Sequence, residues 1–248
     1  FMNAYPSLWL AEKKYSWMKL RNGSFKDYVP DHYNLGYLLV NYGYEKYGAD
    51  FWAKVTKEAS AFKGLFYPFQ KAIEKYAGVP YTRFREEALD YYKNTTTGIA
   101  AATAAGESGP HPVSSLNKQV LTSYQFPYAV SSTSTLYLKT SYNRRPGFVV
   151  RNADGKEDWL RVRDIAISDQ YSYRNGRLVY AAYESDPRWR WRDYSVIRVM
   201  DVETHAQRTL THKSRYFSPD ISADGRRVVA VQNARDGKSE LHVLATDN

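Results

Sequence analysis

The 248-residue sequence contains no cysteine, which excludes disulfide bonds, thiolate zinc sites, iron–sulfur clusters and a cysteine nucleophile. It also lacks long apolar runs. The longest is about the length of residues 99–105, far below the roughly 18–20 residues that a membrane-spanning helix needs. The sequence has no Gly-x-Ser-x-Gly turn and no glycine-rich phosphate loop, so a serine hydrolase or a nucleotide site has no anchor. We therefore expect no cofactor and no transmembrane segment in this chain.

Histidine is scarce, and its spacing excludes one common zinc site. A His-Glu-x-x-His motif places two imidazoles one helical turn apart, with a glutamate as the base. None of the five histidines lies four residues from another: His32, His111, His205, His212 and His242. We therefore expect no metal ligands in the chain. We interpret Glu12, which two lysines follow, as part of a solvated helix face rather than as a ligand.

The positive charge is in excess but is spread along the chain. Residues 1–124 carry 15 basic and 11 acidic side chains, and residues 125–248 carry 20 and 15, which together give the net charge of +9. Proteins that bind nucleic acid usually concentrate this charge on one face or tail, so we do not expect a nucleic-acid partner. The one local exception is Arg188–Arg192, where arginine and tryptophan alternate.

The first 95 residues have helical apolar spacing and predict five short helices, which would form an all-α subdomain. Their predicted ends rest on capping residues. The first predicted helix spans Leu8–Leu20 and ends at Asn22-Gly23, and the second lies between Asp31 and Gly48. The third begins after its cap, Asp50, and the fourth lies between Pro68 and Gly78. The fifth begins at Thr82 and runs through Tyr92.

Residues 96–115 are rich in small residues, glycine and proline, and they predict an exposed linker. The alanine run Ala100–Ala105 could add a helical turn, but no amphipathic pattern supports more. Because the composition turns β-branched and aromatic after the linker, we expect the second domain to cover residues 116–248.

The second half repeats itself at a spacing typical of propeller blades. We take the first strand of each unit to begin near Leu136, Leu178 and Val228, which gives offsets of 42 and 50 residues. About two and a half to three blades cannot close a ring. The predicted fold class is therefore α+β: an N-terminal all-α subdomain followed by an incomplete antiparallel β-propeller. Since Phe1 is not an initiator methionine, we also expect the chain to be a piece of a longer polypeptide.

The stretch from Tyr216 to Val229 contains the most specific motif, Phe-Ser-Pro-Asp-Ile-Ser-Ala-Asp-Gly-Arg-Arg. We interpret it as a loop, an Asp-Gly hairpin turn and then an innermost strand. It resembles the blade motif of TolB-like and dipeptidyl-peptidase-type propellers, which are WD40-like repeats. The resemblance is strong over residues 197–247 and weak over 126–196. It implies an exported bacterial protein, periplasmic or associated with the outer membrane, that binds a protein or peptide partner through its propeller loops.

A second resemblance involves Val29–Val40 together with Lys46–Trp52. These stretches are similar to the helical C-terminal part of gluzincin-type metallopeptidase domains, the peptidase-MA-like domains, over about residues 1–92. The resemblance implies that Tyr33 donates a hydrogen bond to the oxyanion in a longer parent, where zinc would be held upstream of Phe1. The alternative is that Tyr33 is a helix-face tyrosine packed in a tyrosine-rich protein, and His32 a first-turn surface residue.

Trp189 and Trp191 are the other candidate site residues, since Trp and Arg planes both stack on nucleobases and sugars. The alternative is a long hairpin tip whose tryptophans cover a neighbouring blade. Our leading functional interpretation is a non-catalytic interaction fragment. A zinc-dependent metallopeptidase parent is the second hypothesis, and a carbohydrate- or nucleic-acid-binding surface at Arg188–Arg192 is the third.

Overall fold

The computed structural model describes residues 4–64, 66–103 and 119–247. The chain divides into two compact units, Phe1–Val113 and Ser114–Asn248, which are the helical and the β unit below. Among the described residues, no helix is both long enough and apolar enough to cross a membrane.

The described part of the helical unit has six helices where the sequence predicted five. They are α1 (Ala4–Leu10), α2 (Trp17–Asn22), α3 (His32–Tyr47), α4 (Phe51–Ser60), α5 (Pro68–Ala77) and α6 (Tyr81–Thr103).

The first predicted helix is wrong, because the chain breaks it into α1 and α2. Glu12 is exposed and has a φ of 52°, a left-handed conformation that an α-helix cannot continue through. Ser16 then starts α2 by accepting a hydrogen bond from the backbone N–H of Lys19 at 3.3 Å. The apolar spacing concealed this break, since residues on both sides of it pack into the same core.

The predicted caps of the next helices are mostly confirmed. Asp31 caps α3 by accepting a hydrogen bond from the N–H of Asn34 at 3.0 Å. Pro68 occupies the first turn of α5, and Gly78 ends that helix with a φ of 71°. Asp50 precedes α4, but its side chain makes no capping hydrogen bond, so that part of the prediction is wrong.

The last helix extends further than the sequence indicated. α6 continues to Thr103, so residues 96–103 of the predicted linker are helical, and the rest of the linker, 104–115, lies outside the described residues. The hydroxyls of Thr95 and Thr96 bond to the carbonyls of Tyr91 and Tyr92 within the helix. Such bonds let threonine stay within a helix despite its low propensity.

Eleven strands lie between residues 119 and 247. They are β1 (Thr122–Ala129), β2 (Thr135–Ser141), β3 (Arg144–Arg151), β4 (Glu157–Val162), β5 (Tyr171–Arg174), β6 (Arg177–Ser185), β7 (Asp193–Asp201), β8 (Gln207–Thr209), β9 (Tyr216–Ile221), β10 (Arg227–Asn233) and β11 (Ser239–Ala245).

In the described β unit these strands form three antiparallel sheets in the orders β1-β2-β3-β4, β5-β6-β7-β8 and β9-β10-β11. We call them blades 1, 2 and 3. Each blade begins one strand earlier than predicted, at β1, β5 and β9. Tyr216–Ile221 is accordingly a strand and not a loop, and β10 is the middle strand of its sheet. The predicted class is confirmed: a helical unit followed by an incomplete antiparallel β-propeller.

Apolar side chains fill the space between successive blades. Leu136, Leu138 and Phe148 of blade 1 pack with Leu178 and Val196 of blade 2. The other face of blade 2 packs against blade 3 in a second core. Burial of these side chains, worth about 1.5–3 kcal/mol each, stabilises the stack.

Candidate functional site: the β6–β7 loop

The β6–β7 loop, residues 186–192, carries the two tryptophans singled out in the sequence. The two strands pair in register up to Ser185 and Asp193, whose side chains are joined by a hydrogen bond of 2.7 Å. The loop closes on itself, because the N–H of Asp186 donates to the carbonyl of Arg192 and the N–H of Arg192 donates to that of Trp189, both at 2.8 Å.

Asp186 organises the turn from inside. Its carboxylate accepts hydrogen bonds from the backbone N–H groups of Arg188 at 2.9 Å and Trp189 at 3.0 Å, and from the Tyr194 hydroxyl at 2.9 Å. The two backbone hydrogen bonds are the main reason why the pKa of Asp186 is lowered. A short loop tied at this many points is held in one conformation, and such preorganisation lowers the entropic cost of any association.

The tryptophans of this loop face solvent. Trp191 is 100% exposed and Trp189 is 58% exposed, with the Arg188 guanidinium 5.3 Å from the Trp189 ring centre. The alternative that they cover a neighbouring blade is therefore wrong for the described chain. Arg188, Arg190 and Arg192 form no ion pair with any described residue, so the loop, whose one acidic residue is Asp186, presents aromatic surface with a net positive charge.

Tyr33 is the second residue of α3, in the other unit. Its side chain is 71% exposed, and its ring centre lies 4.3 Å from that of His32. Tyr33 thus lies on an exposed helix face with its ring against that of His32, and its oxyanion role stays a prediction. Tyr33 belongs to the helical unit, and the two tryptophans belong to the β unit.

Within residues 4–64, 66–103 and 119–247, no three His, Asp or Glu side chains lie close enough together to hold a metal ion. Four histidines fall in these ranges, and His111 lies outside them.

Blade 1 also carries a polar groove that was not predicted from the sequence. A cavity of about 650 Å³ lies along the sheet and includes Lys139, Arg144, Arg151 and Trp159 in its lining. A usable signal existed, since charged and aromatic residues alternate with apolar ones along β2 and β4, as in Tyr137 and Lys139.

No protein-family model matches the sequence, and no curated protein matches it. Solved structures with a similar fold include TolB from Acinetobacter baumannii, with 14% identity and a TM-score of 0.41, covering 68% of this chain and 47% of that one. The β-propeller domain of the Trilobed protease from Pyrococcus furiosus has 14% identity and a TM-score of 0.37, covering 51% and 40%. The chain thus spans less than half the length of these propellers. Similarity at this level says nothing of a ligand or an activity.

Proposed function

We propose that this chain is part of an exported, propeller-containing protein and that it binds a protein or peptide partner without catalysing a reaction. The observation that carries the proposal is the preformed β6–β7 loop with Trp189 and Trp191 exposed at its tip. Tryptophan and arginine are enriched among the residues that dominate binding energies at protein interfaces. The three arginines favour a partner with acidic side chains near an apolar residue.

The test is selection from a displayed random-peptide library on the wild-type chain, after removal of peptides that bind the Trp189→Ala/Trp191→Ala variant. We expect the selected peptides to be acidic and to lose about tenfold or more in affinity on Trp191→Ala, a typical cost for a central interface tryptophan. Leu241→Ala is the matched control, because Leu241 is an exposed apolar residue on another blade.

Peptides that bind the wild type and the double variant equally would contradict the loop as the binding surface. Tight binding of a single-stranded DNA probe that weakens steeply with added salt would instead favour the nucleic-acid interpretation. The proposal that the chain catalyses no reaction has a separate test. Stoichiometric zinc together with peptide hydrolysis by the purified chain would refute it.

The alternative function is that of a zinc-dependent, gluzincin-like metallopeptidase whose His-Glu-x-x-His motif lies upstream in a longer polypeptide. The exposure of Tyr33 supports it, since an oxyanion donor needs to be accessible to substrate. In an active parent, Tyr33→Phe should lower turnover by about 10²-fold, the loss expected for one oxyanion donor. Tyr44→Phe, on the same helix and also exposed, should leave turnover unchanged.

A further inference from the structure

Blade 1 has two faces of different character. Leu136, Leu138 and Phe148 point towards blade 2. Alternation along the strands places Tyr137 and Val149, which pair across β2 and β3, on the opposite face, together with Trp159 on β4. We call this opposite side the outward face of blade 1.

The outward face is covered by its own side chains. A methyl group at Gly147 would lie 2.3 Å from the Trp159 ring, so the absence of a side chain there lets the indole lie against the sheet. The Arg144 guanidinium in turn lies 3.4 Å from the Trp159 ring centre. Beneath this cover Val149 has no exposed surface. Val149 is therefore buried by side chains of blade 1 itself.

The groove on this face is positively charged. Lys139, Arg144 and Arg151 line it, against one carboxylate, that of Glu157. Glu157 is already engaged, since it accepts hydrogen bonds from the Tyr137 hydroxyl at 2.7 Å and from Lys139. Neither guanidinium of the groove forms a hydrogen bond or an ion pair with a described residue. Both are therefore available to an anion.

The charges are arranged along a line. Arg144 and Arg151 are the first and last residues of β3, so their Cα atoms are roughly 23 Å apart along the strand. Lys139 pairs with Gly147, between the two ends. The charges themselves are closer together than these Cα atoms, because the Arg144 side chain turns back onto the Trp159 ring beside Gly147. They still lie at separate positions along β3, which suits a ligand with more than one negative charge better than a single compact anion.

We propose that the groove on the outward face of blade 1 binds an acidic oligosaccharide, at a surface separate from the β6–β7 loop. Arginine holds carboxylates through two parallel hydrogen bonds, which fits the uronate groups of such a chain. The lining also holds Thr122, Ser141 and Asn143. The Ser141 hydroxyl donates to the Asn143 side-chain oxygen at 2.8 Å, which leaves the Asn143 amide N–H groups as donors and the hydroxyl oxygens as acceptors for sugar hydroxyls.

Two other polyanions fit the groove less well. Single-stranded nucleic acid binds through exposed aromatic rings on which successive bases stack, but Arg144 already occupies the ring of Trp159. An extended peptide that binds by adding a strand to a sheet needs a free strand edge for its backbone hydrogen bonds. The groove lies instead on the face of a sheet, where the backbone groups of β2 and β3 are paired.

The test uses labelled oligogalacturonate of about ten residues at low ionic strength, where screening of charges is weak. We expect the wild-type chain to bind it and the Arg144→Gln/Arg151→Gln variant to bind at least about tenfold more weakly, through loss of charge-assisted hydrogen bonds. Arg190→Gln/Arg192→Gln is the matched control, because it removes the same charge from the β6–β7 loop. We expect that variant to bind like the wild type.

Three probes of matched length separate the ligand classes: the methyl-esterified oligogalacturonate, oligoglutamate and single-stranded oligo-dT. Weaker binding of all three would support the proposal. Equal binding of the neutral ester would overturn it, because the carboxylates would then have no role. Tighter binding of oligoglutamate or oligo-dT, absence of oligogalacturonate binding, or unchanged binding by the Arg144→Gln/Arg151→Gln variant would overturn it as well.

Discussion

The outward face of blade 1 and that of blade 3, the side of blade 3 that faces away from blade 2, both show the alternation of a β-strand, but one face is covered and the other is exposed. Val149 lies on the third strand of blade 1 and Val243 on the third strand of blade 3, and each pairs with a residue of the second strand, Tyr137 or Val229. Val149 is fully buried, whereas Val243 is 66% exposed. Alternation in a strand thus tells which residues share a face, but not whether that face is covered.

The difference between the two faces comes from β4, the fourth strand of blade 1, which carries Trp159 and has no counterpart among the three described strands of blade 3. In blade 1, Trp159 lies against Gly147 and carries Arg144 on its ring, which completes a cover over the sheet. In blade 3, the corresponding face shows Val229, Leu241 and Val243 with large exposed areas in the described chain. The outward face of blade 1 is therefore a polar groove, whereas that of blade 3 is an apolar surface.

The largest expected effect is that of Gly147→Ala, which would break the cover of blade 1. The new methyl group would meet the Trp159 ring at 2.3 Å, and an overpacked site of this kind costs about 1–3 kcal/mol. Denaturant unfolding of the chain, followed for the β unit, measures the loss.

The control for Gly147→Ala is the same change in a chain that carries Trp159→Val, where the contact with the indole is removed and only the 2.8 Å approach to the Arg161 carbonyl oxygen remains. An equal cost in both backgrounds would show that the indole is not the cause.

The next prediction compares Val149→Thr on blade 1 with Val243→Thr on blade 3, each of which replaces a methyl group by a hydroxyl. A buried hydroxyl without a partner costs about 1–3 kcal/mol, so Val149→Thr should destabilise the β unit by that amount. Val243→Thr, at an exposed position, should change stability by less than about 0.5 kcal/mol. Unfolding free energies that fall equally would mean that the faces do not differ in solution.

The smallest expected effect is that of Glu157→Gln on how the stability of the chain changes towards acidic pH. Burial by itself raises the pKa of Glu157, but hydrogen bonds from Lys139 and Tyr137 and the charges of Lys139 and Arg151 outweigh it and lower the pKa. A lowered carboxyl pKa stabilises the folded state above the unfolded-state value of about 4.3, and this contribution is lost as the pH falls through the folded pKa.

Glu157→Gln should therefore remove about 0.2–1 kcal/mol at neutral pH, the usual range for such a pair, and flatten the acid limb of the stability profile. The measurement is the unfolding free energy of both proteins at several pH values from 3 to 7, at constant ionic strength. Asp186, Asp201 and Asp224 also have lowered pKa values, so only the difference between the two proteins reports on Glu157. Parallel curves would contradict the assignment.

Capping residues account for most of what could be predicted in the helical unit. Asp31, Pro68 and Gly78 act through their own backbone or the next helical turn. Their effect depends only on residues close in the sequence, so it can be predicted without the fold. The break between α1 and α2 could not be predicted in this way, because the left-handed conformation of Glu12 does not change the apolar spacing. In α6, the threonines that suggested a linker bond back to the helix instead.

The candidate surfaces were predictable to different degrees. The alternation of Arg and Trp at 188–192 pointed to the β6–β7 loop, but the two possibilities, solvent or a neighbouring blade, could not be separated without the fold. The groove of blade 1 was missed because its charges come from β2, from both ends of β3 and from β4. Only strand pairing brings these residues together.

The sequence by itself determined the helical and β halves, the blade spacing and the turns at Asp-Gly, because these depend on periodicity and on residues that act within a few positions. The tertiary structure decided which faces are covered, which tryptophans reach solvent and which charges share a groove. Those outcomes depend on contacts between residues on different strands, and the free energy of burial arises only when such residues meet.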